Sequence, residues 1–291
     1  MSGIIKLGVI GDPINHSLSP KLHKLFAERA DIEIEYLAFR VASLNLDNFI
    51  KNFFMDGGTG LNVTLPHKVD CLNSADEFSP IVKKIGAANT LRKVKGSNKI
   101  FADSTDGMGL IKGLQEAKIN TIKSDILIIG AGGAAQSIIH SLQGSHPRVI
   151  AIANRTKEKI KPVVGRFPSL DTDDSSLNTQ VVDIETYLNQ LDYQGFHTVI
   201  NATSARKVSD FKWCESLPIK GAINFYDLSY SMLDETTPFT KWARDQGDIN
   251  NAKKNISDGF GMLIHQAALS FEMWTGIKPH TNITKDELFD G

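Results

Sequence analysis

The chain has 291 residues, of which 41% are hydrophobic and 22% are charged, and its formal net charge at pH 7 is −1. This composition is typical of a globular protein, and the length favours two domains. The charge gives no reason to expect nucleic acid or an anionic membrane as a partner, and no apolar run approaches the ~18 residues of a membrane span.

The first 117 residues alternate between predicted strands and helices. Hydrophobic periodicity and turn residues predict strands at residues 4–10, 35–41 and 60–65, two strands within 89–102, and helices at 20–30, 46–55, 79–85 and 110–117. Ser19 before Pro20 has the pattern of a helix N-cap followed by a proline in the first turn. Pro66 predicts the start of one more helix, and the N-terminus is expected to be a strand, not a signal peptide.

The second half repeats the alternation with longer β-branched runs. Strands are predicted at 125–130, 148–153, 198–202 and 222–228, helices at 133–142, 157–165, 237–245 and 262–274, and polar segments at 167–180 and 247–257. Two blocks of strands and helices predict an α/β fold with two sheets. We expect the chain end to return to the first block, which gives one domain of residues 1–106 and 255–291 and a second of residues 107–254.

A glycine-rich turn joins the first strand and helix of the second block: Gly130-Ala131-Gly132-Gly133-Ala134-Ala135. In this context Gly130 permits the tight turn, Gly132 permits close approach of a pyrophosphate, and Ala135 permits close packing of helix and strand. The pyrophosphate would lie at the helix N-terminus, where free N–H groups favour an anion. The sequence therefore predicts a Rossmann domain that binds a dinucleotide, with a purely structural turn as the alternative.

The next strand ends at Asn154-Arg155-Thr156, where an NAD enzyme usually carries an acidic residue. An acid at this place holds the ribose hydroxyls but repels a 2′-phosphate, whereas a guanidinium binds the phosphate with charge-assisted hydrogen bonds. Arg155 therefore predicts NADP in preference to NAD. The alternative is that Arg155 is an ordinary solvated surface charge.

Polar clusters follow several strands of the first block and recur near the chain end. They are His16-Ser17-Leu18-Ser19-Pro20, Asn62-Val63-Thr64-Leu65-Pro66-His67-Lys68, Gly86-Ala87-Ala88-Asn89-Thr90, Ser104-Thr105-Asp106-Gly107, Asp258-Gly259-Phe260-Gly261-Met262-Leu263 and Gln266-Ala267-Ala268. In order and spacing, from about Gly11 to Trp274, this set resembles the shikimate dehydrogenases. The resemblance implies a split substrate domain, a Rossmann domain, and reduction of 3-dehydroshikimate to shikimate with NADPH for aromatic amino acid biosynthesis.

The resemblance assigns Lys68 and Asp106 as the catalytic pair. The chemistry agrees, because hydride delivery to a ketone leaves an alkoxide that needs a proton and a neighbouring positive charge. Asp106 would keep Lys68 protonated and accept a hydrogen bond from a substrate hydroxyl. The residues alone also allow a surface lysine and a helix cap.

The resemblance also assigns binding residues. Those for the substrate are Ser17 and Ser19 at the carboxylate, and Thr64, Asn89, Gln266 and Tyr230 at the hydroxyls. Those for the cofactor are Gly130, Ala131, Gly132, Gly133, Ala134, Asn154, Arg155, Thr156, Lys159, Thr203, Ser204 and Met262. The structural alternative for each polar residue is a buried hydrogen bond at a strand end.

Cys71 and Cys214 have no metal-ligand spacing and are expected to be reduced thiols in a cytoplasmic protein without a metal site. A small-molecule substrate is the expected partner, with no nucleic acid and no membrane, and a monomer or homodimer is expected. Two other functions stay open: a quinate or dual quinate/shikimate dehydrogenase of the same fold, and a catalytically silent NADP-binding protein.

Overall fold

The computed structural model describes residues 4–190, 195–219, 221–231, 236–246 and 254–289. Most of the polar segment predicted at residues 247–257 lies outside these ranges. The chain forms two compact units, one that runs to Gly109 and resumes at Ile264, and one that comprises Leu110–Leu263. In the described ranges, no helix combines the length and apolar character needed to cross a membrane.

The sheet of the first unit has six strands in the order β2-β1-β3-β5-β6-β4. The strands are β1 (Ile5–Gly11), β2 (Ile34–Arg40), β3 (Gly60–Val63), β4 (Glu77–Phe78), β5 (Thr90–Lys93) and β6 (Ile100–Asp103). Strand β1 pairs in parallel with β2 and β3, whereas β5 pairs antiparallel with β3 and β6. The two strands predicted within residues 89–102 are therefore confirmed as neighbours.

Helices cover both faces of this sheet. They are α1 (Ser19–Arg29), α2 (Leu46–Met55), α3 (Pro80–Ile85), the start of α4 (Asp106–Glu116), most of α9 (Phe260–Thr275) and α10 (Lys285–Phe289). Side chains alternate between the faces of a strand. Accordingly, Ile10 packs in a core with Ile50 and Phe54, whereas Val9 packs in another with Tyr36 and Trp274.

Two local predictions in the first unit are wrong. Helix α1 starts at Ser19 and its N-cap residue is Leu18, without a side-chain cap. Ser19 is therefore not the N-cap, because the helix begins at Ser19, one residue before Pro20. Pro66 does not open an α-helix: turns follow it, and Asp70–Ser74 is a 3-10 helix. The chain turns here because His67 is fully buried, with Nε2 2.7 Å from the carbonyl oxygen of Val41.

The sheet of the second unit is parallel throughout, in the order β12-β11-β10-β7-β8-β9. The strands are β7 (Asp125–Ile129), β8 (Val149–Ala153), β9 (Gln180–Asp183), β10 (Thr198–Asn201), β11 (Asn224–Asp227) and β12 (Asn255–Ser257). Counted within the unit, this is the 3-2-1-4-5-6 order of a Rossmann fold, with its switch point between β7 and β10. The predicted fold class is thus confirmed.

The helices of the second unit are α5 (Gly133–Gln143), α6 (Ile160–Arg166), α7 (Ile184–Leu188) and α8 (Pro238–Asp245), with the C-terminal part of α4 and the first residues of α9. Its core includes Leu127, Val199 and Phe225 from the strands and Phe239 from α8.

Two short strands depart from the sequence analysis. Strand β9 lies at the end of the segment expected to be a loop, since Gln180–Asp183 has only two apolar residues and gives a weak strand signal. Strand β12 pairs with β11 in the second sheet, although residues 255–263 were assigned to the first domain. Three residues are too few to show a strand period, so sequence reasoning could not find this strand.

Candidate functional site

Lys68 and Asp106 form an ion pair, with Lys68 Nζ 2.6 Å from Asp106 Oδ2. Lys68 lies in the turn after β3, and Asp106 is the first residue of α4. The side chains are 16% and 8% exposed, so the pair is largely withdrawn from water. In such a site the attraction within an ion pair is screened by salt much less than it is at the surface.

Asn89 connects this pair to two other candidate residues. Its Nδ2 donates to Asp106 Oδ1 at 2.9 Å and lies 3.2 Å from Gln266 Oε1. Its Oδ1 accepts from the backbone N–H of Thr105 at 2.8 Å. The structure therefore brings together Lys68, Asp106, Asn89 and Gln266 from four separate segments of the first unit, which were chosen from sequence as catalytic or substrate-binding residues.

The network continues through residues that sequence reasoning missed. Ser270 Oγ accepts from Asn62 Nδ2 at 3.0 Å and lies 2.8 Å from Thr90 Oγ1. The hydroxyl of Tyr36 donates to Asn62 Oδ1 at 2.7 Å. Burial raises the pKa of Tyr36 well above its ordinary value, against a smaller lowering by a hydrogen bond with Ser19, so the phenol stays a neutral donor.

A signal for part of this network was present in the sequence. Ser270 stands four residues after Gln266, and residues at this spacing lie on the same face of a helix. Asn62 opens the same polar cluster that contains Lys68. No sequence signal pointed to Tyr36, because its partner Asn62 belongs to another strand.

The other substrate-binding candidates are placed as follows. Ser17 is half-buried and its Oγ accepts from the backbone N–H of Ser19 at 3.3 Å, while Ser19 is 7% exposed. Thr64 follows β3, and its methyl group lies beside Gly11. Tyr230 is half-buried and belongs to the second unit.

The glycine-rich turn joins β7 to α5, as predicted. Gly130 has φ +119°, a conformation that side chains rarely adopt, and an added Cβ would lie 2.9 Å from the carbonyl oxygen of Ala202. A Cβ on Gly132 or Gly133 would meet no atom within 4 Å. Open space therefore lies above the turn, and no side chain caps the N-terminus of α5. This geometry fits a dinucleotide pyrophosphate, with Ala131 and Ala134 beside the glycines.

The end of β8 presents unpaired positive charge. Arg155 and Lys159 are exposed, and neither forms an ion pair with a residue that the structure describes. Lys157, by contrast, pairs with Glu185. Asn154 Nδ2 donates to the carbonyl oxygen of Thr156 at 2.8 Å, which fixes the turn after the strand. Because no acid stands where the ribose would bind, this end of the sheet fits a 2′-phosphate.

The loop after β10 lies against the glycine-rich turn. The methyl group of Thr203 is 3.2 Å from the place of a Cβ on Gly130, and Thr203 Oγ1 donates to Asn201 Oδ1 at 2.7 Å. Asn201 in turn donates to Asp227, whose pKa burial raises to about 6. Ser204 is exposed at the same loop. Sequence reasoning found Thr203 and Ser204 but missed the support from Asp227.

Met262 is the remaining cofactor candidate. It lies in the first turn of α9 within the second unit and is 8% exposed. Its backbone N–H faces the hydroxyl of Tyr226, whose pKa burial raises. Both groups lie beside Gly113, where an added Cβ would clash with the Tyr226 hydroxyl and lie 3.0 Å from the backbone nitrogen of Met262.

Comparison with known proteins identifies the family. The shikimate dehydrogenase substrate binding domain matches residues 9–91, shikimate / quinate 5-dehydrogenase matches 114–212, and the shikimate 5'-dehydrogenase C-terminal domain matches 259–289. Shikimate dehydrogenase (NADP(+)) of Colwellia psychrerythraea is 35% identical over 96% of this chain and 94% of its own. The chain belongs to the shikimate dehydrogenase family. The resemblance inferred from sequence is confirmed.

A second curated relative and two solved structures are also similar to this chain. Shikimate dehydrogenase (NADP(+)) of Aeromonas salmonicida is 36% identical, with 96% of both chains covered. The crystal structure of shikimate 5-dehydrogenase from Thermus thermophilus in complex with NADP(H) and shikimate is 25% identical, covers 98% of both chains and has a TM-score of 0.78. An Ael1 enzyme from Pseudomonas putida is 30% identical, covers 98% of both chains and has a TM-score of 0.78.

Proposed function

We propose that this protein reversibly reduces 3-dehydroshikimate to shikimate with NADPH, in the biosynthesis of aromatic amino acids through chorismate. The observation that carries the proposal is the Lys68–Asp106 ion pair, held at 2.6 Å within a network that includes Asn89 and Gln266. The relatives named shikimate dehydrogenase (NADP(+)) support the substrate and the cofactor. The protein is accordingly an NADP-dependent oxidoreductase that acts on a CH–OH group.

Lys68 supplies the proton in the direction of reduction. NADPH, when bound, provides the hydride that reaches the ketone carbon, and the carbonyl oxygen then becomes an alkoxide. The ammonium of Lys68 donates a proton to that oxygen and, while still charged, stabilises the negative charge that develops on it. In the oxidation of shikimate the neutral amine takes the proton back.

Asp106 has two functions in this scheme. One oxygen holds Lys68 at 2.6 Å, and the other accepts from Asn89 at 2.9 Å. A carboxylate carries about four lone-pair sites, so a substrate hydroxyl can add a further hydrogen bond. Asp106 thus orients the substrate and holds the Lys68 ammonium in place.

The remaining substrate contacts surround the ring. Ser17 and Ser19 bind the carboxylate, with two hydroxyl donors that suit an anion. Thr64, Asn89, Gln266 and Tyr230 bind the ring hydroxyls together with Asp106. A ketone or hydroxyl at the wrong ring position would leave some of these polar groups without partners, which is how such a site discriminates between substrates.

The NADP site is assigned to the second unit. The turn from Gly130 to Ala134 holds the pyrophosphate, and Arg155 holds the 2′-phosphate. The other contacts are Asn154, Thr156, Lys159, Thr203, Ser204 and Met262. Open space above Gly132 and Gly133 and the absence of an acid at the end of β8 support this assignment.

The first unit is accordingly the substrate-binding and catalytic domain, and the second is the Rossmann NADP-binding domain. We further propose that the protein acts in the cytoplasm as a monomer or homodimer and without nucleic acid. Two buried free cysteines and a net charge near zero support these assignments. Light scattering after gel filtration checks the oligomer, and a mass of three or more chains would contradict it.

The reaction is tested in the direction of reduction with identified products. Purified protein is mixed with NADPH and either 3-dehydroshikimate or 3-dehydroquinate, and NADPH and the organic acids are quantified by chromatography. We expect one shikimate for each NADPH consumed and little quinate. Quinate formed at an equal or greater rate would favour the dual dehydrogenase, and no product from folded protein would favour the silent NADP-binding protein.

A further inference from the structure

A pocket lies in the first unit, apart from the Lys68 network. Its volume is about 800 Å³, within the usual range of small-molecule sites. It is lined by the loop after α2, the turn between β5 and β6, and the last residues of α9. None of the residues proposed above for substrate or NADP lines this pocket.

The charged side chains among the described residues that line the pocket are all positive. Arg92, Lys93 and Lys95 line the pocket, and no aspartate or glutamate is among the described residues that do so. Lys93 Nζ donates to the carbonyl oxygen of Phe54 at 3.2 Å, which leaves two of its three N–H donors for another partner. Lys95 is exposed and forms no ion pair with a described residue.

The geometry of these cations is partly fixed before any ligand arrives. The guanidinium carbon of Arg92 lies 4.6 Å from the centroid of the Phe101 ring, and this cation–π contact restrains the side chain. Gly57 and Gly96 have φ +89° and +76°, and a Cβ on either would meet no atom within 4 Å. Bare backbone at two edges of the pocket lets a ligand approach the peptide groups closely.

We propose that this pocket, called here the basic pocket, binds a small multivalent anion of the phosphate-bearing class. Arg92, Lys93 and Lys95 have no acidic partner among the described residues that line the pocket, and a ligand with two or more negative charges would supply one. Guanidinium and ammonium groups form charge-assisted hydrogen bonds with phosphate oxygens, and these are stronger than neutral ones. The pocket volume admits a metabolite but not a folded partner.

The basic pocket is distinct from the site of the proposed reaction. In the β3–β5 pair, Gly60 faces Arg92 at the pocket end, and Asn62 faces Thr90 at the network end. On α9, Trp274 lines the pocket and Gln266 contacts Asn89, and eight helical residues correspond to roughly 12 Å. The two sites thus occupy opposite ends of the same strands and helix.

The test is a titration of the ¹⁵N-labelled full chain with sodium pyrophosphate, followed by two-dimensional NMR. Saturating NADP⁺ and shikimate block the sites of the proposed function, and sodium chloride keeps the ionic strength constant. We expect saturable shifts of the Gly57 and Gly96 amides and of the Trp274 indole N–H. Lys95→Ala should weaken the apparent affinity about tenfold, the effect of one charge-assisted hydrogen bond.

Lys99→Ala is the matched control, because Lys99 lies near the same turn but pairs with Glu77 at 3.1 Å and does not line the basic pocket. It should leave the pyrophosphate affinity unchanged. The proposal is overturned if the chemical shift changes do not saturate. It is also overturned if Lys95→Ala leaves the apparent pyrophosphate affinity unaltered, or if Lys99→Ala lowers that affinity equally. These outcomes are independent of the reductase activity, since binding is measured without turnover.

Discussion

In the first unit, Lys68, Asp106, Asn89 and Gln266 contact one another directly, whereas in the second unit Arg155 and Lys159 are exposed and have no described acidic partner. Lys68 and Asp106 are thus positioned by other side chains of the protein itself. The charges at the end of β8 have room for a partner from outside. The difference indicates that the proposed catalytic residues of the first unit are held in place before any ligand binds, whereas the proposed cofactor residues of the second unit are left for a ligand to complete.

Burial explains the difference. Asn89 and Asp106 are 3% and 5% exposed, and buried polar groups must be hydrogen-bonded or they destabilise the fold. The turn at Gly132 and Gly133 is open, so water can satisfy its N–H groups until a pyrophosphate displaces it. Variants in the first unit should therefore change turnover, and variants at the end of β8 should change cofactor preference.

Lys68→Ala is expected to have the largest effect. Turnover should fall by roughly a hundredfold or more because the general acid is lost, while shikimate and NADP⁺ still bind. Steady-state kinetics and calorimetric titration of both ligands measure the two effects. Lys84→Ala, an exposed lysine of α3, is the control and should behave as wild type. Near-normal turnover in Lys68→Ala would remove Lys68 from the mechanism.

Arg155→Ala should alter the second unit alone. Loss of a charge-assisted contact is expected to reduce the NADP⁺ over NAD⁺ preference in kcat/KM by about 10- to 100-fold, without a change for NAD⁺. Lys157→Ala is a matched control, because Lys157 already pairs with Glu185. An unchanged preference in Arg155→Ala, or an equal loss in Lys157→Ala, would contradict the assignment of the 2′-phosphate site.

Asp227 should make the stability of the second unit depend on pH. Burial raises its pKa from 3.8 to about 6, so the native state binds this proton more tightly than the unfolded state. The contribution of this proton to the free energy of unfolding is complete below pH ~4 and is lost as pH rises through about 6. Asp227→Asn cannot ionise, so its free energy of unfolding relative to wild type should rise from pH 4 to pH 7 by about 1–3 kcal/mol.

Urea unfolding at several pH values, monitored through Trp213 and Trp242 of the second unit, measures this difference. The exposed Asp173→Asn is the control and should show no comparable trend. The free energy of unfolding of Asp227→Asn relative to wild type could instead stay constant with pH or fall toward pH 7. Either result would show that the folded protein does not favour the protonated form of Asp227.

Ser270→Ala is expected to have a smaller effect in the first unit. Removing its hydroxyl leaves Asn62 and Thr90 without one hydrogen-bond partner each, which should lower the free energy of unfolding by about 1–3 kcal/mol. It should also lower kcat several-fold, with little change in the KM for NADPH. Thr275→Ala removes another α9 hydroxyl that bonds the carbonyl four residues back. It should leave kcat unchanged, and an equal loss in both variants would assign Ser270 a purely structural role.

The sequence predicted the fold where patterns are long and local. The β-branched run of β7 and the glycine-rich turn predicted the Rossmann sheet, and the family resemblance of the polar clusters assigned Lys68 and Asp106 as the catalytic pair. The errors arose where tertiary contacts override a local pattern. Ser19 has the form of a cap but lies inside α1, and Pro66 opens turns because His67 is buried. The partners of Tyr36 and Asp227 come from other strands, which no single-sequence pattern reveals.

The most direct test of the central claim is a spectrophotometric assay of NADPH and NADH formation by wild-type protein with shikimate or quinate, each with NADP⁺ or NAD⁺. We expect the highest kcat/KM for shikimate with NADP⁺ and a much lower value for each of the other three combinations. Equal or higher values for quinate or for NAD⁺ would contradict the proposed substrate or cofactor. No turnover in any combination, with the protein folded and able to bind NADP⁺, would contradict the proposed enzymatic function itself.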